Sequence, residues 1–138
     1  MTRTQKSQVI HRYFDEVWTA GRLDVLGQII HPSYVNHAPG LPDMPPGPEG
    51  LKPIVAAMRC GLPDLRYEIL HEIHEGDLVC VRTMVRGTNL GELFGRPPSG
   101  RAIEVEQMQI ERFQEGLIVE HWRRTDEGKL AQQLGWTL

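Results

Sequence analysis

Cysteine is scarce in this chain: Cys60 and Cys80 are the two among 138 residues, and no CxxC pair occurs. That spacing excludes the usual zinc and redox motifs, and both residues are expected as small core hydrophobes, since free Cys is among the most buried residue types. A reactive thiol would need an activating base beside it. Long apolar runs are also missing. None approaches the roughly 20 residues that cross a bilayer, and the opening MTRTQKSQVIHRYF lacks a signal-peptide core, so a soluble cytoplasmic protein with no membrane partner is expected. No basic block interrupts the mixed charge pattern, with 15 Lys and Arg against 18 Asp and Glu, which argues against a nucleic-acid partner. His31, His71 and His74 have no combined metal-site spacing, and no metal is expected. With no repeat, low-complexity tract or linker, residues 1–138 read as one domain large enough to bury most of its apolar surface.

What is present divides into helices first and strands afterwards. From Lys6 to Ala20 the residues Val9, Ile10, Tyr13, Phe14, Val17 and Trp18 recur at three- and four-residue steps, which predicts an amphipathic helix ended by Gly21. A second helix is predicted over Leu23 to Ile30, stopped by Pro32, and Tyr34 to Gly50 reads as irregular loop because of its Gly and Pro content. A third helix is predicted from Glu49 to Cys60, complicated by Pro53, which costs roughly 3 kcal/mol beyond a helix's first turn. Four strands follow, Arg66 to Glu75, Leu78 to Thr88, Ala102 to Gln114 and Leu117 to Thr125, then a helix from Glu127 to Leu134. The turns Gly76-Asp77 and Glu115-Gly116 imply antiparallel neighbours. The order predicts an α+β domain whose curved antiparallel sheet packs one face on the helices and leaves a pocket between them.

The richest chemistry lies in GLIVEHWRRTDEGKLAQQLG, residues 116–135. Strand alternation puts Val119, His121 and Arg123 on one face and Ile118, Glu120, Trp122 and Arg124 on the other. Four segments together carry a family likeness: HPSYVNHAPG at 31–40, GPEGLK at 47–52, LFGRPPSGR at 93–101 and FQEGLIVEHWRRTDEGKLAQQLG at 113–135. In this order they resemble the SnoaL-like polyketide cyclases, and the opening FDEVWTAGRLD at 14–24 extends the likeness over nearly the whole chain.

That resemblance implies the nuclear transport factor two-like fold, a cone of bent antiparallel sheet with helices across its mouth. It implies cofactor-free acid-base chemistry in an apolar pocket, where characterised members close the last ring of aromatic polyketides by intramolecular aldol addition on a methyl ester. Such chemistry needs a base for a carbon-bound proton and a donor for the enolate. In the best-known members the base is an aspartate shortly after a His on the last strand; here that place holds Arg123, and a histidine of the preceding strand is replaced by Gln109. Arginine stays protonated and cannot be the base. The resemblance further implies a homodimer, since sheet outer faces pair in this fold.

His121 is the first candidate base, with a core histidine satisfied by a carboxylate as its other reading. His37, in the loop that borders the pocket in the family, is an alternative acid or base, or else a loop histidine bonded to backbone. Asp126 is either a carboxylate base at the pocket mouth or the N-cap of the last helix. Arg123 either holds a substrate carboxylate, ester carbonyl or enolate, or pairs with Glu104, Glu106 or Glu111. Gln107 and Gln109, on one strand face with Val105 and Glu111, suit carbonyl recognition, or else pair across strands at a dimer surface. Tyr34 in the pocket-bordering loop, with Trp18, Trp122 and Met108, would complete walls for a flat or greasy ligand.

The expected activity is therefore cyclase or isomerase chemistry on a small hydrophobic carbonyl compound. The alternative is a non-catalytic binding protein on the same fold. Epoxide hydrolases on this fold use an Asp-Arg-Asp arrangement, and Arg123 with Asp126 and Asp77 gives no such pattern.

Overall fold

Alternation of side chains builds the sheet. In β3 (Leu78–Thr88) and β4 (Ala102–Gln114) every second residue is buried, which gives one face of Val79, Val81, Val85, Ile103, Val105 and Phe113 to the core and the other to solvent. The computed structural model describes residues 1–39 and 41–137; Gly40, within the segment read as loop, and Leu138 lie outside the described residues. With β1 (Ile30–Asn36), β2 (Arg66–Glu75) and β5 (Leu117–Thr125), these strands form a curved five-stranded sheet in the order β1-β5-β4-β3-β2. β1 runs parallel to β5, and the other neighbours are antiparallel. The chain thus has the α+β architecture expected of it.

Helices cover the inner face. α1 (Arg3–His11) begins with a capping box in which the Thr2 hydroxyl accepts from the Gln5 amide and the Gln5 side chain accepts from the Thr2 amide. It continues as a π-helical segment, Arg12–Thr19, whose Tyr13, Phe14, Val17 and Trp18 are buried. Phe14 stacks on Tyr67 of β2 with ring centroids 5.4 Å apart. Aromatic side chains of this kind contribute about 1.5–3 kcal/mol each by burial, so this stripe fixes how the helices sit on the sheet. Gly21, at φ 74°, then turns the chain back toward a 3-10 turn (Leu23–Val25) and α2 (Leu26–Ile29). α3 (Pro48–Gly61) and α4 (Glu127–Leu134) complete the helical layer. No helix among the described residues is long and apolar enough to cross a membrane.

The connection from Thr88 to Ala102 is held by Asn89, which is fully buried. Its amide donates to the carbonyls of Gly61 and Gly91, and its oxygen accepts from the Ser99 amide at 2.9 Å. Gly91 passes so close to the end of α3 that a Cβ there would lie 2.1 Å from the Cys60 carbonyl oxygen. This clasp sets Leu93 and Phe94 beside the helices.

Several local expectations are corrected. Residues 30–36 form a strand rather than a helix end followed by loop, because a sheet edge tolerates Pro32 where a central strand would not. α3 starts at Pro48 and carries Pro53 in its interior. The cysteines are not core residues: Cys60 is exposed at the end of α3, and Cys80 is half-buried on the outer face of β3 opposite Ile110.

Candidate functional site

Between the inner sheet face, the helices and the clasped connection lies a cavity of about 710 Å³. Its walls are mostly apolar, from Trp18, Ile54, Met58, Leu93, Phe94 and Trp136. Polar groups reach it from the sheet: Tyr67 of β2, Gln107 of β4, and Arg123 and Thr125 of β5. Glu92 and Glu127 are exposed at its rim. Few polar groups in an apolar concavity of this size are the general form of a small-molecule site.

Strand pairing determines which of these groups meet. In the β4–β5 ladder Gln107 lies opposite Thr125, Gln109 opposite Arg123, and Glu111 opposite His121. Gln107 donates to the Thr125 hydroxyl at 3.2 Å, and Gln109 donates to the Gln107 carbonyl oxygen at 3.0 Å and to the Thr83 hydroxyl at 3.1 Å. The two glutamines face inward, so they do not form a dimer surface. Gln109 spends its amide within this row and does not border the cavity.

Arg123 is half-buried and donates from Nη2 to the Ala38 carbonyl at 2.8 Å. None of its expected carboxylate partners takes it. Glu104 pairs with Arg86, Glu106 with Arg82, and Glu111 with His121. Across the cavity, burial pushes the Tyr67 hydroxyl up to about 12, opposed by the Arg123 charge and a hydrogen bond with Gln107. Tyr67 is thus a neutral donor near pH 7.

Deeper in the sheet, His121 Nδ1 and Glu111 Oε1 are 2.6 Å apart, with both side chains buried. Burial raises the Glu111 carboxyl above its ordinary range, against the lowering effects of His121 and Arg123. His121 Nε2, Glu111 Oε2 and the buried Tyr34 hydroxyl have no hydrogen-bond partner among the described residues. Burial also holds the Tyr13 and Tyr34 hydroxyls well above the usual phenol range. His121 does not line the cavity; the Tyr13 ring centroid lies 6.5 Å from that of the imidazole and 6.3 Å from that of cavity-lining Trp18.

The structure therefore brings Arg123, Gln107 and Trp18 to the cavity and places His121, Gln109 and Tyr34 behind its wall. His37, Trp122 and Met108 lie elsewhere. His37 bonds Glu120 at 3.0 Å and stacks on Trp122 with ring centroids 4.9 Å apart, on the outer sheet face where Met108 is half exposed. Asp126 takes the cap geometry, accepting from the Lys129 amide at 3.2 Å, and Asp77 pairs with Arg112 at 2.8 Å, both apart from Arg123. Among the described residues no group of three or more His, Cys, Asp or Glu gathers as a metal-ligand set. Sequence reasoning missed Tyr67, which the alternation of β2 points inward, and Trp136, which follows the last helix and carries no periodic signal.

The model of the family described as SnoaL-like polyketide cyclase matches residues 8–134. The chain is 29% identical over 119 residues to the nogalonic acid methyl ester cyclase of Streptomyces nogalater, with 86% of this chain and 89% of that one covered. It is 30% identical over 123 residues to the aklanonic acid methyl ester cyclase AcmA of Streptomyces galilaeus, covering 87% and 84% of the two chains. Its backbone follows that of TsrD from Streptomyces laurentii with a TM-score of 0.90 and 26% identity over 99% of each chain.

Proposed function

The chain belongs to the SnoaL-like polyketide cyclase family, and from that premise we propose that it is a cofactor-independent acid-base enzyme acting on a small hydrophobic carbonyl compound held in the 710 Å³ cavity. The observation that carries this reading is the buried Glu111–His121 pair with its Nε2 unpartnered, two residues along the same strand face from Arg123. Glu111 holds the Nδ1 side of the imidazole, which leaves Nε2 as the proton acceptor. When Nε2 takes a carbon-bound proton, the Nδ1 proton shifts toward Glu111, and the pair becomes neutral. Burial favours that state, since it raises the Glu111 carboxyl. Transfer requires a path to open between the imidazole and the cavity, and Tyr13, packed near both His121 and Trp18, is the side chain that would move. Arg123 and the Tyr67 hydroxyl hold the substrate's oxygens, the donor role such chemistry requires.

Relatives named as methyl ester cyclases support ring closure as the reaction class. Incubation with a panel of enolisable ketones in deuterated water tests it: exchange at carbon, abolished in His121→Ala, is expected. Absence of exchange across the panel defeats it. A second reading, a non-catalytic carrier of a hydrophobic ligand, is favoured by one observation: among the described residues no imidazole lines the cavity. A ligand that binds and is recovered unchanged supports that reading instead.

We propose the outer sheet face as the place where the expected second copy would sit. Ile73, Cys80, Ile110 and Trp122 stand opposite one another in register across four strands, with Ile73 and Ile110 exposed. A self-complementary apolar row of this kind suits a two-fold interface.

A further inference from the structure

Arg123 is a cation with no ion-pair partner in contact among the described residues. A guanidinium offers five N–H donors in a planar fork. Among the described residues it donates to one acceptor, the Ala38 carbonyl at 2.8 Å, and has no carboxylate within 4.0 Å. The nearest strand provides none, because Glu104 and Glu106 are taken by Arg86 and Arg82 on the outer face and Glu111 by His121. Glu92 and Glu127 also line the cavity, but both are exposed and neither forms an ion pair with Arg123. Leaving a half-buried cation uncompensated beside apolar walls is unfavourable, and an anion arriving with a ligand removes that cost.

The neighbouring polar groups narrow what that anion can be. Gln107 donates to Thr125 and accepts from Gln109, so the glutamine row is largely satisfied by itself. Arg123 is the one Lys or Arg lining the cavity among the described residues. One planar cation with a neutral Tyr67 hydroxyl near it matches a monoanion with two equivalent oxygens, whereas a phosphate dianion asks for more donors. Trp18, Tyr67, Phe94 and Trp136 supply flat walls for the ligand's body.

We infer that this cavity selects a free carboxylic acid with a flat hydrophobic body, its carboxylate held bidentate by Arg123, rather than the corresponding ester. The inference rests on the reading of this cavity as the ligand site, and it names the class of ligand that the site takes. Arg123 is a specificity residue in this account, and His121 remains the proton acceptor.

Calorimetric titration of the purified protein with naphthoic acid and with methyl naphthoate tests the assignment without any turnover. A charge-assisted pair predicts that the acid binds about tenfold or more tighter than the ester. Arg123→Gln is expected to bring that ratio close to one, and Arg123→Lys to keep part of it. The wild-type ratio alone decides if the variants fail to fold. An ester bound as tightly as the acid, an undiminished preference in a folded Arg123→Gln protein, or no binding of the acid at millimolar concentration each overturns it. Binding of the acid together with absent carbon-bound proton exchange would retain this assignment while removing the enzymatic reading.

Discussion

His121 and Trp122 are consecutive in the chain and live in different surroundings. The imidazole is buried against Glu111, with Tyr13 beside it and Arg123 next along its face. The indole lies on the outer face, between the His37 ring and the Arg112 guanidinium, where Glu120 and Asp77 complete a solvent-bathed charge cluster. One peptide unit separates a site where each unpaired proton is costly from one where ion pairs contribute little. The same residue types therefore carry different consequences on the two faces. Glu111 and Glu120 each bond a histidine, yet only Glu111 is fully enclosed with it.

The sharpest way to break that comparison is to truncate each neighbour in turn. His121→Ala leaves Glu111 enclosed without its partner, and removing one member of a buried pair costs about 3–5 kcal/mol. Trp122→Ala on the open face should cost about 1 kcal/mol or less in monomer stability, in line with surface substitutions. Urea unfolding of both variants reads the difference directly. Equal losses would mean that the inner pair is not under the burial described above.

A smaller effect, about 1 kcal/mol as for one altered hydrogen bond, is expected from Glu111→Gln, and its sign depends on pH. The Glu111 carboxyl is raised in the folded protein, chiefly by burial. The stability contributed by its protonated form is fully present below the ordinary carboxylate range and is lost as pH rises through the raised value. Wild type should therefore lose stability relative to Glu111→Gln between acidic and neutral pH. Thermal unfolding of the two proteins across that range measures the difference, and a wild type that gains stability relative to Glu111→Gln as pH rises contradicts the raised carboxyl.

Much of this arrangement was legible in the sequence, for a local reason. β2 through β5 and α4 fall at the expected residues because period-two alternation, the Gly-containing turns and the Asp126 cap are all encoded within a few residues. β1 was not legible. Its partner β5 lies more than eighty residues away, as Ile30 opposite Ile118 shows, and its Pro32 looks like a stop signal unless the strand is known to sit at an edge. The same long-range pairing decides His37: its amide bonds the His121 carbonyl at 2.9 Å, and its ring ends on the outer face against Trp122. Parity put Arg123 on one face with His121 and Gln107 on one face with Gln109, without saying which face looks inward, while the choice between substrate and ion-pair roles for Arg123 depended on which acids Arg82, Arg86 and His121 had already taken. The cysteines were misplaced because burial frequency by residue type cannot tell which strand parity Cys80 has or that Cys60 closes a helix.

The smallest energetic effect belongs to the outer face and concerns assembly. Ile110 is 39% exposed and lies in register between Cys80 and Trp122, so Ile110→Lys puts a charge at the centre of the apolar row without entering the core. Two copies facing each other through this row would bring two such ammonium groups together in a desolvated interface, where like charges oppose association. Sedimentation should show a dimer in the wild type and a monomer in the variant. Measured where both proteins are monomeric, the unfolding free energies should agree within about 0.5 kcal/mol, since no buried contact is lost. Affinity for naphthoic acid should change less than twofold, because the cavity lies on the opposite side of the sheet. A wild type that sediments as a monomer would remove the outer row as an interface; a variant that stays dimeric would move the interface elsewhere, and a loss of acid binding would show that the two faces of β5 are not independent.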